Sequence, residues 1–440
     1  MPDRPDTPDR PTPLRLHPLH RLWRLFPSRA RRLALARATA LVAPRPDRVP
    51  PPALHGLAVG GELSRASGLG EGARVMLRAA ETLGLATWSL DVAAPVREQA
   101  QAVAVARSAP PPAGAPLVLH INAPTLPLAM LRLGRGALRG RRMFGYWAWE
   151  LPTVPPDWRV GLPFVHEVWV PSTFTAEALN HLMPGRVRVV PHALAMTAPT
   201  AMPDRPGFGF PPEVVTVLVS FNLASSFERK NPLAAIAAFR AAFGDRTDRL
   251  LVMKIGYSGH VPADLARLRD AIGASRNMRL ETATLSPQRS QALTASADIV
   301  LSLHRSEGFG LVPAEAMLLG KPVIATGWSG NMEFMDAGCA VPIGYRLVPV
   351  TDPRGVYDIA GAEWAEADHD EAVEQLRRLA DDPTLRAELG ARARVAAMAR
   401  LTTAPLAAAL RGIGLLVPCS PHGSPAAPGA LDPAGVLSRA

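Results

Sequence analysis

The chain has 440 residues, 48% of them hydrophobic, which is too many for one ordinary core and ample for two or three domains. The formal charge of +10 gathers at the start, where residues 1–50 hold eleven arginines against four aspartates, so the high isoelectric point does not mark a nucleic-acid protein. Cys339 and Cys419 lack CxxC spacing and exclude a disulfide framework or a cysteine zinc site, and no run reaches the roughly 18 apolar residues of a membrane span.

Residues 1–50 read as a Pro/Arg-rich extension, disordered or membrane-peripheral. Within it "SRARRLALARATALVA" (28–43) reads either as a solvated tail or as a basic amphipathic helix lying on a membrane or on the protein itself. The first residues lack a signal-type apolar run, so the expected location is cytoplasmic, with the basic start touching anionic lipid at the inner face of the plasma membrane.

From residue 53 short apolar runs alternate with helical segments: "ALHGLAVGG", "GEGARVMLRAAETLG", "LATWSLDV", "APLVLHIN", "RRMFGYWAWE" and "FVHEVWVPS". That alternation predicts a parallel sheet covered by helices over residues 51–200. A Pro-rich stretch at 191–213 reads as an interdomain linker. The alternation restarts over 201–400, with strands in "VVTVLVSFN", "RLLVMKIG", "MRLETATLS" and "DIVLSL" and helices between them. Two Rossmann-like domains facing each other across a cleft, with helices at the C-terminal end, is the simplest α/β architecture. Residues 401–418 form a last helix apolar enough to need a docking surface, expected on the N-terminal domain, and the Pro/Gly/Ser/Ala-rich residues 419–440 read as a disordered tail.

The chemistry concentrates in "SEGFGLVPAEAMLLGKP" (306–322). A buried-type strand empties into a loop whose Gly308 and Gly310 let the backbone turn and approach a ligand, beside Phe309 and Leu311. Pro313 suits the start of a helix and Gly320 its end. The exposed amides and positive dipole of such a helix start make an anion site. Glu315 is expected in the first turn, leaning back towards the loop. An ionised carboxylate only accepts hydrogen bonds, so its natural partner is a diol such as ribose, and Glu307 is suited to hydroxyls of a second sugar. A nucleotide sugar offers ribose, diphosphate and sugar in that order.

"SEGFGLVPAEAMLLGKPVIATGWSGNMEFM" resembles the glutamate, seven residues, glutamate motif of retaining GT-B glycosyltransferases of family four. "SSFERKNPLAAIAAFRAAF" (225–243) is similar to that family's phosphate-binding segment, and the likeness continues in "GYWAWELP" and "VHEVWVPSTFTAEAL", covering residues 55–418. The resemblance implies that Lys230 binds donor phosphate with Arg229 beside it, and two cations at a helix start do favour an anion there. It also implies a retaining, metal-independent hexosyl transfer without cofactor, the N-terminal domain taking the acceptor and the C-terminal domain the nucleotide sugar. Surface polysaccharide or glycoconjugate synthesis is the expected setting.

The chain departs from the family in two places. Ser225 stands where an arginine is common, with Arg229 as its substitute, and no histidine occupies the end of "MFGYWAWE". Glu150, Trp147 or Trp149 is left to contact the transferred sugar or the acceptor. His120 ends another strand, open to a cleft role or a core role, while His192 and His304 read as structural. "SGLGEGAR" (67–74) contains GxGxxA, but "ELSRAS" separates it from the first strand, which argues against NAD. The resemblance instead places Gly68 and Gly70 in a loop facing the cleft. "DHD" (368–370) reads as a helix cap with first-turn acids, and no metal is assigned to it. Of the three lysines, Lys230, Lys254 and Lys321, only the first is given a role. The competing functions are a sugar-nucleotide epimerase or hydrolase on the same fold, and a non-catalytic binding protein.

Overall fold

A computed structural model of the chain describes residues 26, 28–93, 103, 109–256 and 261–415. The first sheet contains β1 (Leu57–Gly61), β2 (Thr87–Asp91), β3 (Leu117–His120), β4 (Met143–Tyr146), β5 (Glu167–Val170) and β6 (Val187–Val189), in the order 2-1-3-4-5-6. All its pairings are parallel. The second contains β7 (Val215–Asn222), β8 (Arg249–Gly256), β9 (Met278–Glu281), β10 (Ile299–Ser302), β11 (Val323–Thr326) and β12 (Val341–Ile343), in the order 12-11-10-7-8-9, again all parallel. Strands such as β1, β3 and β4 are buried at every position, which is why they read as apolar runs without alternation.

Helices connect the strands. In the first half they are α1 (Ser28–Val42), α2 (Gly68–Thr82), α3 (Leu126–Leu138) and α4 (Thr173–Asn180). In the second they are α5 (Phe227–Lys230), α6 (Pro232–Phe243), α7 (Pro262–Ile272), α8 (Pro287–Ser296) and α9 (Leu311–Leu318). An antiparallel pair, β13 (Tyr345–Pro349) and β14 (Glu363–Ala367), precedes α10 (His369–Asp381), α11 (Pro383–Arg400) and α12 (Ala404–Gly412). Asp368 caps α10 by accepting from the Glu371 amide at 2.9 Å, the role expected of "DHD".

The strand order of each sheet reverses beside its first strand, between β1 and β3 and between β7 and β10. Ligands bind at such switch points, outside the carboxyl ends of the strands. Here the ends meet across one space: His120 at the end of β3 on one side, Asn222 and Ser302 at the ends of β7 and β10 on the other.

Three segments tie the halves together. The Pro-rich 191–213 stretch is packed rather than free, with Leu194, Ala195 and Phe210 buried and the Ala195 amide donating to the Leu401 carbonyl at 2.9 Å. α12 buries Leu406 and Leu410 in one cluster with Leu57, Val59, Phe144 and Trp169 of the first sheet. Burial on that scale contributes roughly 1.5–3 kcal/mol per leucine before ordering entropy is subtracted. The excursion over β13 and β14 places Tyr357, Ala362 and Trp364 against Trp147, Leu151 and Trp158 of the first half.

α1 lies on the protein. It buries Ala36 and Thr39, Ala40 packs against the cluster that holds Leu126 and Trp158, and Arg32 donates to the Gly355 carbonyl at 2.8 Å. Leu41 and Val42 stay exposed at its end. No helix of the described residues is long and apolar enough to cross a membrane. The extension before α1, apart from residue 26, and the tail beyond residue 415 lie outside the described residues.

Candidate active site

The cleft between the sheets encloses a cavity of about 950 Å³. Its walls include Glu150, Arg229, Lys230, Glu307 to Leu311, Glu315, Gly68, His120 and His192, so residues far apart in sequence converge there.

The densest chemistry lies where α5 meets the 306–310 loop. Ser226 caps the single turn of α5, accepting from the Arg229 amide at 3.3 Å, and Asn231 at φ +50° ends it before Pro232 opens α6. Arg229 and Lys230 therefore stand just ahead of a helix N-terminus, where two cations are unfavourable without an anion. Glu307 is that anion. One of its oxygens binds Lys230 Nζ, and the other lies 3.1 Å from Arg229 Nη1, which also donates to the Ser306 carbonyl at 2.6 Å. Arg229 is 3% exposed and Glu307 8%, so solvent does little to screen the pairing. Burial alone would raise the Glu307 carboxyl, but Lys230, Arg229 and His304 hold it down to about 2. Burial also pulls Lys230 below its ordinary value, against the pull of Glu307.

The loop carrying Glu307 is fixed from both halves. Ser329 Oγ accepts from the Glu307 amide at 2.8 Å, and the Gly330 amide donates to the Glu307 carbonyl at 2.9 Å. Ser172 and Thr175, at the start of α4 in the first half, donate to the Gly308 carbonyl at 2.7 and 3.4 Å. Gly330 must be glycine, because a Cβ would stand 2.2 Å from the Gly308 oxygen. Phe309 is edge-on to His192 and tilted against Phe334.

Gly310, at φ +96°, opens α9, and Leu311 and Val312 line the cavity at the first turn, whose amides lack intrahelical acceptors. Glu315 is the fifth residue after the Gly310 cap and so sits in the second turn, a correction to the expected first-turn position. The left-handed glycine starts the helix early and moves Pro313 to its third residue. Gly320, at φ +70°, closes α9 as expected, its amide donating to the Met317 carbonyl at 2.9 Å. Burial pushes the partly exposed Glu315 carboxyl up to about 7, Glu71 of α2 adding to the effect and Arg78 opposing it.

On the facing wall Glu150 follows β4. Asn122 clamps its segment, donating to the Ala148 carbonyl at 2.9 Å and accepting from the Ala148 amide at 3.0 Å. Glu150 Oε1 lies 3.8 Å from Arg229 Nη2, and Oε2 accepts from the Tyr357 hydroxyl at 3.1 Å. Burial raises the Glu150 carboxyl; Arg229 and the Tyr357 hydrogen bond oppose it and Glu307 adds to it. Trp147 and Trp149 do not line the cavity: they pack edge-on with Trp158, which leaves Glu150 alone of the three at the site.

His120 is fully buried at the cavity wall, stacked on Tyr146 at 4.2 Å, with Nε2 3.4 Å from Met76 Sδ and Nδ1 unpartnered. Burial keeps its imidazole well below the usual range, as does neighbouring His192, which burial holds at about 4 against the pull of Glu71. His192 thus belongs to the cavity rather than only to the core, while His304 is buried beneath the loop with Nε2 3.0 Å from Asn331 Oδ1. Gly68 lines the cavity, 3.9 Å from Leu311 Cδ1 as measured from an added Cβ. Gly70 does not: both glycines belong to the first turn of α2 rather than to a loop, and a Cβ at Gly70 would stand 2.6 Å from both the Arg65 and Glu62 carbonyls, so its role is to let that turn pack against the segment before it. Ser225 lines the cavity without a basic group, and Arg229 reaches the Glu307 cluster from the next turn. Tyr357, Asn122 and Glu71 escaped the sequence reading.

The profile of the family described as "Family 4 Glycosyltransferase in conflict systems" matches residues 170–401, just over half of the chain. No curated protein sequence matches the chain significantly. Among solved structures it is similar to a glycosyltransferase from Rickettsia africae ESF-5, with TM-score 0.58, 12% identity and coverage of 82% of this chain and 98% of that one. The Anabaena protein Alr3699/HepE in complex with UDP and glucose gives TM-score 0.56 at 13% identity, covering 81% of this chain and 100% of that one. S. aureus TarM in complex with fondaparinux, alpha-GlcNAc-glycerol and UDP gives 0.50 at 13% identity over 68% of this chain, which spans 55% of TarM. These likenesses show the GT-B fold: two Rossmann-like α/β domains.

Proposed function

The chain belongs to the family 4 glycosyltransferases of conflict systems, and on that premise we propose that it transfers a sugar from a nucleoside diphosphate donor to an acceptor hydroxyl with retention of configuration. The observation that carries the reading is the charged cluster at the centre of the cleft, where Arg229 and Lys230 are held by Glu307 with Glu150 facing them from the other half. In this reading the donor diphosphate takes over the two cations and the first amides of α9. Glu315 accepts from the ribose diol, Glu307 from hydroxyls of the transferred sugar, and Glu150 from the acceptor hydroxyl.

The anomeric carbon–oxygen bond to phosphate breaks with its electron pair going to the diphosphate, while the acceptor oxygen bonds to the same face of that carbon. The hydroxyl proton, held by Glu150 while the acceptor is bound, passes to the departing diphosphate oxygen as the new bond forms. Arg229, Lys230 and the helix amides meet the charge that develops there, and the enclosed walls orient the reactants and limit access of water. His120 and His192, both kept neutral, suit a wall beside an uncharged sugar rather than a charged one.

The Anabaena structure holds UDP and glucose, so uridine diphosphate sugars are the first donors to test here. Glycoconjugate or surface polysaccharide assembly is the setting proposed for the acceptor, with peripheral contact between the basic residues 1–50 and anionic lipid. A thermal-shift screen of nucleoside diphosphates and nucleotide sugars selects the donor, because a ligand of the folded state raises the melting point. Diphosphate release that requires a hydroxyl acceptor supports transfer; equal release without any acceptor marks a hydrolase and overturns it.

A further inference from the structure

We propose that Tyr357 is a positioning residue for the transfer, holding the Glu150 carboxylate beside Arg229 so that it receives the acceptor's attacking hydroxyl. This rests on the reading of Glu150 as the acceptor contact. Tyr357 comes from the excursion between β13 and β14, Glu150 from the end of β4 in the other half, so neither is near the other until the chain folds.

The loop that delivers the tyrosine is built for one geometry. Asp352, 9% exposed, accepts from the amides of Arg354 at 3.1 Å, Val356 at 2.7 Å and Tyr357 at 2.9 Å. Arg354 pairs with Asp264 and donates to the Leu223 carbonyl at 2.7 Å, which anchors the loop to the second half. Arg32 of α1 anchors it to the first half through the Gly355 carbonyl. The Glu150 side is equally held, by the Asn122 clamp on Ala148 and by Ser306 Oγ donating to the Glu150 carbonyl.

Between these supports the phenol makes two contacts that a filler ring would not need. Its hydroxyl donates to Glu150 Oε2 at 3.1 Å, and its ring lies 5.7 Å from the Arg229 guanidinium carbon. One side chain therefore touches both an anion and a cation of the site and fixes their separation. Trp149 backs the ring at 5.4 Å, and Tyr357 itself is 4% exposed. The groups that act on the Glu150 charge are Arg229 and Lys230 from α5, Glu307 from the loop, and Tyr357. Burial and Glu307 favour the protonated form, which could not accept through that oxygen; the hydroxyl of Tyr357 favours the ionised form, as do the two cations.

The test uses the full chain with carboxyl-labelled glutamate, the Glu150 carbon resonance being assigned by its loss in Glu150→Gln. Tyr357→Phe keeps the ring against Trp149 and removes only the donor. Its Glu150 midpoint is expected to rise by about one pH unit, roughly tenfold in proton affinity. The acid limb of kcat/KM, measured with the nucleotide sugar chosen by the donor screen, should move up with it while the donor KM stays. Val356→Ala, on the exposed side of the same loop, should leave both at wild-type values. An unshifted midpoint in a transferring enzyme, or a shifted midpoint with an unmoved pH profile, overturns the role of Tyr357 alone. Failure of every nucleotide sugar to transfer overturns the functional reading, and this one with it.

Discussion

Replacing Glu307 by glutamine separates two roles that its carboxylate combines. The carboxylate neutralises Arg229 and Lys230, and in the proposed reading it also competes with the donor diphosphate for them. Removing one partner of a buried ion pair costs about 3–5 kcal/mol, and here the Ser306 carbonyl and Glu150 remain on Arg229, which brings the expected loss to about 2–3 kcal/mol. The variant without nucleotide should therefore melt roughly 2–3 °C below the wild type. The nucleoside diphosphate, however, no longer competes with a charged-group hydrogen bond worth about 1.5–3 kcal/mol, so its affinity should rise by roughly tenfold or more, and binding should restore much of the lost stability. Calorimetric titration of Glu307→Gln with the diphosphate, alongside melting curves and transfer rates, reads all three quantities. Transfer should fall, because the variant lacks the sugar contact. A diphosphate affinity equal to or weaker than that of the wild type would refute the idea that Glu307 occupies the donor's phosphate cations.

Two further substitutions probe the cavity wall at Glu315 and the support beneath the Glu307 loop at Gly330. The Glu315 carboxyl, raised to about 7 in the fold from an ordinary 4.5, contributes stability that is fully present below about pH 4.5 and is lost as pH rises through 7. Melting points of Glu315→Gln should accordingly vary less than those of the wild type over that window, and diphosphate affinity should strengthen with pH through 7 more steeply in the wild type, where Glu315 ionises along with the terminal phosphate of the ligand, than in the variant; parallel curves would exclude the ribose role. Gly330→Ala forces a Cβ against the Gly308 oxygen, so it should lower stability by about 1–3 kcal/mol and slow transfer, both read by melting and rate measurements.

Much of the donor side was legible because its residues are consecutive. "SEGFGLVPAEAMLLGKP" carries loop, helix and helix stop in one stretch, and the buried strands on either side read as apolar runs. The displacement of Glu315 by a turn came from Gly310, since a left-handed start cannot be inferred from a glycine that could equally belong to the loop. The sequence over α3 shows no clear helical pattern because Pro124, Pro127, Gly134 and Gly136 are all breakers, and Gly134 does depart from helical geometry at φ +74°. Glu150 could be placed near the end of β4, although the strand stops at Tyr146, but its partners could not be placed. Tyr357 sits in a stretch with no periodicity, and its meaning arises from a contact across 207 positions of sequence. Gly70 shows the opposite case: the resemblance placed it facing the cleft, whereas the chain needs a glycine there to make room for two backbone carbonyls.

The proposed chemistry turns on Arg229 and Lys230 stabilising the departing diphosphate, and turnover of Lys230→Ala is the decisive measurement. Acceptor-dependent diphosphate release from the selected nucleotide sugar should fall by roughly two to three orders of magnitude, as expected for loss of one transition-state charge contact. Turnover at the wild-type rate in that variant would contradict the account.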